Sequence, residues 1–329
     1  MTVMLSLHAG YDVSYLTDAV GTGGTDYYLS ASGKHGEPPG YWTGRGAEAL
    51  GLAGEVDAQV MRALYHHGIR PGGEPLDVRQ QPSDYAGMRE SLEDRIEALI
   101  VERVAELGGP EYVTEREMAE IRLMVAGRQR NSVTFFDFTL STAKSISVAA
   151  ASYQATAEAA RAAGDETEAR RCADMVRAIE DAVRAGAEQV VRSAERQAGY
   201  VRTGHHGQGQ GQWRDAAGLT AAVFLQHTSR DGDPQLHAHI AILNRAQRAD
   251  GADDKWRTLD SRSLHRERLG IAARAGMVVE QRLLAAGFSL VQREDGNGRE
   301  IEGVSPATMR AFSARRTAIT PAIKRLVDE

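Results

Sequence analysis

The sequence predicts an α+β fold in which a central antiparallel sheet of about five strands is packed on one face by helices. Three features point there. Two strand-like runs, residues 219–228 and 236–243, are joined by the polar turn SRDGDPQ, whose Asp-Gly and Asp-Pro dipeptides make the pair antiparallel. A third run at 133–140, VTFFDFTL, is rich in aromatic and β-branched residues. The stretch from Ser145 to Ala198 is rich in Ala and Glu, with high helix propensity.

In chain order, residues 4–9 read as an opening strand. Residues 10–60, rich in Gly, Tyr and Asp, read as loop with short helices, and Pro38-Pro39 marks a surface turn. A Pro/Gly-rich stretch at 70–84 precedes an acidic amphipathic helix within 86–125. There Met88, Leu92, Ile96, Ile100, Val104 and Leu107 recur at helical spacing. Gly199 stops the long helical region. Residues 199–214, GYVRTGHHGQGQGQWR, suggest a hairpin with a mobile tip, where His205 and His206 are loop residues. Residues 261–286 form a helix ending at Gly287. From Ser305 the chain is helical again and runs on without a stop signal, as a piece cut from something longer would.

A hydrophobic content of 42% and a charged content of 26% suffice for a buried core and exclude a mainly disordered chain. The single cysteine, Cys172, excludes an intramolecular disulfide and a thiolate zinc site, so any metal must be held by His, Asp, Glu, Asn or Gln. No run approaches the ~18 apolar residues of a membrane span, and the start lacks a secretory signal, so the cytoplasm is the expected compartment. The net charge of -6 argues against nucleic acid until its distribution is considered. Residues 86–125 carry -5 and residues 156–195 carry -3, whereas residues 200–329 carry +4. The acidity belongs to solvated helix faces.

The sharpest chemical signal is QHTSRDGDPQLHAHIAIL, residues 226–243. His237 and His239 are two apart in a strand, so both imidazoles share one face, while Ile240 and Ile242 point to the other. A third imidazole, His227, lies on the partner strand. Three imidazoles on one face of an antiparallel pair can converge on one divalent cation. Asp137, inside the apolar VTFFDFTL, needs a partner, and an imidazole N–H would serve. Tyr11, Tyr15, Tyr27 and Tyr28 crowd together in Gly/Asp-rich sequence. A phenol, with a pKa of about 10, becomes a nucleophile only beside a base or a cation.

These pieces together resemble the conjugative relaxases of the TrwC/TraI type, within the HUH endonuclease superfamily. MLSL at Met4–Leu7, SYLTD, TDYYL, WTGRGAEALGLAGEV at Trp42–Val56 and FDFTLSTAKSIS at Phe136–Ser147 follow the family's order. TSRDGDPQLHAH, KWRTLD at Lys255–Asp260 and AFSARR at Ala311–Arg316 continue it. The resemblance implies strand-specific nicking and rejoining of single-stranded DNA at a plasmid transfer origin, through a covalent 5′-phosphotyrosine. It implies a relaxase domain over residues 1–300 and a C-terminal helical segment, 301–329, closing on DNA. Tyr15 would be the first nucleophile, Tyr27 the second and Tyr28 its substitute. Asp137 would hold a ligand imidazole and take the tyrosyl proton. The cation would be Mg²⁺ or Mn²⁺, with Zn²⁺ or Ni²⁺ co-purifying. The implied partners are single-stranded DNA, a DNA hairpin and other conjugation proteins (an accessory and a coupling protein). The protein would act as a monomer, without membrane insertion, and could be translocated to a recipient cell.

Two departures from the family pattern matter. Tyr15 is followed by Leu16 where a second tyrosine is frequent. The family's first metal histidine lies eleven residues before the His-x-His pair, where this chain has Gln226; His227 is ten before. By alternation only one of the two can face the metal, and His227 is the expected ligand. For DNA, Lys144, Arg230 and Arg257 are expected on phosphates and Trp213 and Trp256 on unpaired bases. Competing readings are a rolling-circle initiator or HUH transposase, a water-using metallophosphodiesterase, and a non-catalytic DNA-binding module. The first is disfavoured because the tyrosines here precede the His-x-His pair.

Overall fold

Strand alternation sorts the apolar residues of this chain onto two faces of one antiparallel sheet. The computed structural model describes residues 2–17, 37–76, 133–204, 211–229 and 232–313, with isolated positions between 100 and 114. Five strands form the sheet: β1 (Val3–Gly10), β2 (Tyr41–Thr43), β3 (Phe135–Thr142), β6 (Ala221–Thr228) and β7 (Pro234–Leu243). Their spatial order is β1-β3-β7-β6-β2, with every pairing antiparallel. β3 and β7 are therefore interior strands, consistent with their nearly unbroken burial.

On one face Leu5, Leu7, Phe138, Leu140, Val223, Leu225, Ile240 and Ile242 join a core with three long helices. These are α4 (Lys144–Ala162), α5 (Glu166–Gln197) and α6 (Ser261–Ala285). Helix α5 buries Cys172, Val176, Ile179, Val183 and Val190, the stripe its sequence spacing demands. Asp165 and Asp260 cap α5 and α6 by accepting from backbone N–H groups of their first turns. Gly186 lets α6 approach α5 closely, because a Cβ there would lie 2.5 Å from Val279 Cγ2.

The opposite face carries a second, smaller core. Phe135, Ala222, Phe224, Ala241 and Leu243 pack with Trp42, Leu16 and with Met61, Leu64 and Tyr65 of α3 (Ala58–His67). The short helices α1 (Ser14–Thr17) and α2 (Arg45–Ala49) lie in the loop-rich region read from the sequence. This second core covers one end of the face and leaves the other end to polar residues. Beyond the sheet lie the hairpins β4–β5 (Tyr200–Thr203, Gln212–Asp215) and β8–β9 (Leu290–Gln292, Arg299–Ile301), then α7 (Pro306–Ala311).

The expected strands and the helices from Ser145 to Ala198 and 261–286 are present, the former broken into α4 and α5 at Gly164. The strand β2 and the hairpin β8–β9 were not anticipated: each strand is three residues long, too short for a periodicity to register. A boundary after residue 300 falls inside β9, whose Ile301 belongs to the main core. Most of the expected helix at 86–125, the tip at 205–210 and residues 314–329 lie outside the described residues. Among the described residues no helix is long and apolar enough to cross a membrane.

Filling the α5–α6 contact should be felt directly. Gly186→Val is expected to destabilise the fold by about 1–3 kcal/mol through overpacking. A lowered urea midpoint followed by circular dichroism checks this, and an unchanged midpoint would count against the close crossing.

Candidate active site

The polar end of the second sheet face holds a cleft of about 950 Å³ lined by His8, Tyr15, Asp137, Thr139, Lys144, Gln226, His237 and His239, among others. Each side chain arrives there through strand parity. On β7 the odd-numbered residues face the cleft, on β3 likewise, and on β6 the even-numbered ones do. Cross-strand register then sets the neighbours. His237 lies between Ser141 and Gln226, and His239 between Thr139 and Phe224. Asp137 sits opposite His8 on one side and Ala241 on the other.

Tyr15 is delivered by α1. Asp12 Oδ1 accepts hydrogen bonds from Ser14 N at 2.9 Å and Ser14 Oγ at 2.6 Å, starting the turn. Val13 and Leu16 are buried and anchor it. The Tyr15 ring stacks on Phe135, with centroids 6.4 Å apart and an interplanar angle of 26°. Phe135 lies flat over Gly10, where a Cβ would sit 2.2 Å from Phe135 Cζ. The glycine is thus required for the ring that supports the tyrosine.

Asp137 joins the two halves of the site. Its Oδ2 accepts from the Tyr15 hydroxyl at 2.7 Å and from His239 Nδ1 at 2.8 Å. Burial, then the charge of Asp137 and its hydrogen bond, push the Tyr15 phenol well above its ordinary pKa. His237 Nδ1 bonds the carbonyl of Gln235 at 2.8 Å, and burial pulls this imidazole below its ordinary pKa. With both Nδ1 atoms committed to acceptors, Nε2 is the lone pair left on each ring. The two rings lie 5.1 Å apart. This donor pair fits a divalent cation. Among the described residues no set of three His, Cys, Asp or Glu side chains is assembled to hold one.

The expectation for His227 is corrected. Alternation turns it to the helix side, where it is fully buried, and β6 bulges between Gln226 and Thr228. Its Nδ1 bonds Glu37 at 2.7 Å and its Nε2 bonds Glu180 of α5 at 2.9 Å, so both ring nitrogens are occupied. Burial acts to lower its pKa, but the bonds from Glu180 and Glu37 outweigh that and raise it. Gln226 takes the cleft-facing position instead. The turn fixes which residue faces His237, and pairing Gln226 with His237 across it was the signal that could have found this.

Of the expected DNA contacts, Lys144 lines the cleft and donates from Nζ to the carbonyl of Pro234 at 2.8 Å. Burial lowers its pKa, opposed by Asp233. Trp213 is exposed on β5, with the Arg202 guanidinium 5.5 Å from its ring. Trp256 and Arg257 are engaged within the fold. Trp256 is partly buried and packs against the second core. Arg257 is forked onto Asp253 by two bonds of 2.7 Å and also donates to the Lys255 carbonyl, which braces its own loop. Tyr27, Tyr28 and Arg230 lie outside the described residues.

A phenol tied through one buried carboxylate to a His-x-His strand, set on a five-stranded antiparallel sheet, is the arrangement expected from the resemblance to relaxases. The comparison with known families is narrower still. The TrwC relaxase family matches residues 9–170 and 169–329, and the chain belongs to that family. The multifunctional conjugation protein TraI of Escherichia coli is 30% identical over 123 residues, 35% of this chain but 7% of TraI. The fold is similar to that of the conjugative relaxase TrwC bound to oriT DNA. The metal-bound complex is 22% identical with a TM-score of 0.61, covering 97% of this chain and 82% of that one. A copper-bound complex is 23% identical with a TM-score of 0.60 over the same shares. A TrwC complex with a 27-mer comprising the recognition hairpin and cleavage site is 22% identical, with a TM-score of 0.59, covering 98% and 83%.

The Asp137–His239 bond has a measurable consequence. Asp137→Asn exchanges the anionic acceptor that orients His239 for a weaker, neutral amide oxygen, so divalent-metal affinity should fall about 10–100-fold. Isothermal calorimetry with Mn²⁺ reads this, and an unchanged affinity would sink the orienting role.

Proposed function

We propose that this chain nicks and rejoins one DNA strand at a plasmid origin of transfer, with Tyr15 as the initiating nucleophile. The observation that carries the reading is the shared Oδ2 of Asp137, which the Tyr15 hydroxyl and His239 Nδ1 both reach within 2.8 Å. In the forward step the Tyr15 oxygen bonds to phosphorus as the phosphorus–O3′ bond breaks. The phenolic proton passes to Asp137 Oδ2, and the departing 3′ oxygen takes up a proton to become a free 3′-OH. The product is a 5′-phosphotyrosine. Because one phosphoester replaces another, a 3′-OH can attack the adduct and reseal the strand.

The environment also explains restraint. Before substrate binds, burial and the Asp137 charge hold Tyr15 as a phenol. A divalent cation held by His237 and His239, Mg²⁺ or Mn²⁺ in the cell, would neutralise charge on the phosphoryl oxygens. Lys144 stands in the same cleft as a cation for backbone phosphate. Tyr27, with Tyr28 as substitute, would end transfer. Ser313, just after α7, lines the cleft, which supports DNA contact by the C-terminal part of the chain. The reaction is assigned to the cytoplasm, in company with accessory and coupling proteins of conjugation.

The decisive assay incubates the protein with single-stranded oligonucleotides spanning its own origin and Mn²⁺, then locates any adduct by mass spectrometry. The wild type should carry the 5′-phosphoryl fragment on Tyr15, and Tyr15→Phe should form no initial adduct. An adduct that persists in Tyr15→Phe removes the nucleophile assignment.

Exposure of Trp213 beside Arg202 supports a stacking platform on the β4–β5 hairpin. Trp213→Ala should weaken single-strand binding by about 1–3 kcal/mol with little sequence preference. Fluorescence anisotropy measures it, and a loss below about 0.5 kcal/mol would place the ring outside the DNA path.

A further inference from the structure

Gln226 stands eleven residues before the His-x-His pair, where the family resemblance places a histidine. Gln226 lies directly opposite His237 in the β6–β7 register, on the cleft face. Directly paired residues hold their Cβ atoms about 4.5–5.5 Å apart, within reach of a common ion. His227, the other candidate imidazole on β6, faces the helices and is clamped at both ring nitrogens by Glu37 and Glu180. Turning it to the cleft would carry Gln226 into the core and strip two part-buried carboxylates of their partner.

We infer that the third protein donor of this centre is the amide oxygen of Gln226, and that the site thereby discriminates less strongly against Mg²⁺ and Mn²⁺ than three imidazoles would. The inference rests on the metal-assisted reading above and deepens it. An amide oxygen is neutral and hard. The advantage of Ni²⁺, Cu²⁺ and Zn²⁺ over Mn²⁺ and Mg²⁺ at such sites comes from nitrogen donors, so exchanging an imidazole for a carbonyl oxygen narrows it. Mg²⁺ and Mn²⁺ accept carbonyl oxygen readily and fill their remaining positions with water.

The test titrates the full 329-residue chain with Mn²⁺ and Ni²⁺ by calorimetry in the absence of DNA. Gln226→His should tighten Ni²⁺ by at least about tenfold while changing Mn²⁺ by less than about threefold. His227→Ala should leave both affinities within about twofold while lowering the thermal midpoint, since it removes only the clamp. Cu²⁺ electron paramagnetic resonance supplies a count: two imidazole nitrogens coupled in the wild type and three in Gln226→His. Three nitrogens in the wild type, unchanged Ni²⁺ affinity in Gln226→His, or loss of metal affinity in His227→Ala each overturns the inference, as does a wild type that binds neither ion. Should His227→Ala fail to fold, the nitrogen count on the wild type decides alone. A chain with this metal pattern that forms no phosphotyrosine loses the nicking reading and keeps the ligand set. A chain that forms the adduct without the pattern keeps the nicking reading and loses this one.

Discussion

The carboxylate of Asp137 stands between Phe136 and Phe138 in an interior strand, and the geometry of the cleft follows from how that charge is accommodated. A carboxylate taken out of water without partners is costly enough to neutralise itself or unfold its surroundings. Here two donors from different elements converge on one oxygen, the hydroxyl of Tyr15 and Nδ1 of His239. The other oxygen, Oδ1, is buried with no hydrogen-bond partner among the described residues. The group is therefore under-satisfied as it stands, and losing either donor would leave it worse. That demand ties α1 to β7 across β3. It also explains the supporting stack: Gly10 admits Phe135, Phe135 carries the Tyr15 ring, and the hydroxyl is held at Oδ2.

Much of this was legible because β-structure has a period of two. His237 and His239 had to share a face, and Asp137 had to leave its Phe neighbours for the other one. The helical region from Ser145 to Ala198 was legible from its Ala and Glu content, and the structure adds the stripe that α5 buries. The charge distribution carried information that the total concealed. A net charge of -6 speaks against DNA, yet two acidic stretches account for it, one of them on α4 and α5 against the sheet's far face.

What could not be read was whatever depended on contacts between distant segments. Asp137 could be said to need a donor, but not that a tyrosine 122 residues away would supply one to the same oxygen as His239. Arg257 looked like a free cation because sequence shows charge and not its partner; Asp253, four residues earlier, already holds it. Trp256 looked exposed because its neighbours are polar, yet its ring finds the second core. The short strands β2, β8 and β9 have too few residues to display a period, and their pairing is what makes them strands.

The histidine at 227 shows how a buried polar group can specify a face without serving the chemistry. A one-residue slip of β6 would exchange every side chain between the two faces. For most of the strand Val223 and Leu225 pack on the helix core and Ala222 and Phe224 on the second core, whereas the bulge between Gln226 and Thr228 leaves the end of β6 less constrained. There the choice between Gln226 and His227 at the cleft needs another determinant. Glu37 and Glu180 provide it, since removing one partner from a buried ionic set costs about 3–5 kcal/mol. An apolar group of the same size could stabilise the core as well, because the attraction within such a set is largely offset by desolvation. It too would favour the helix side over the polar cleft, though without directional bonds to Glu37 and Glu180. The clamp holds the imidazole on the helix side, and with it Gln226 on the cleft face opposite His237.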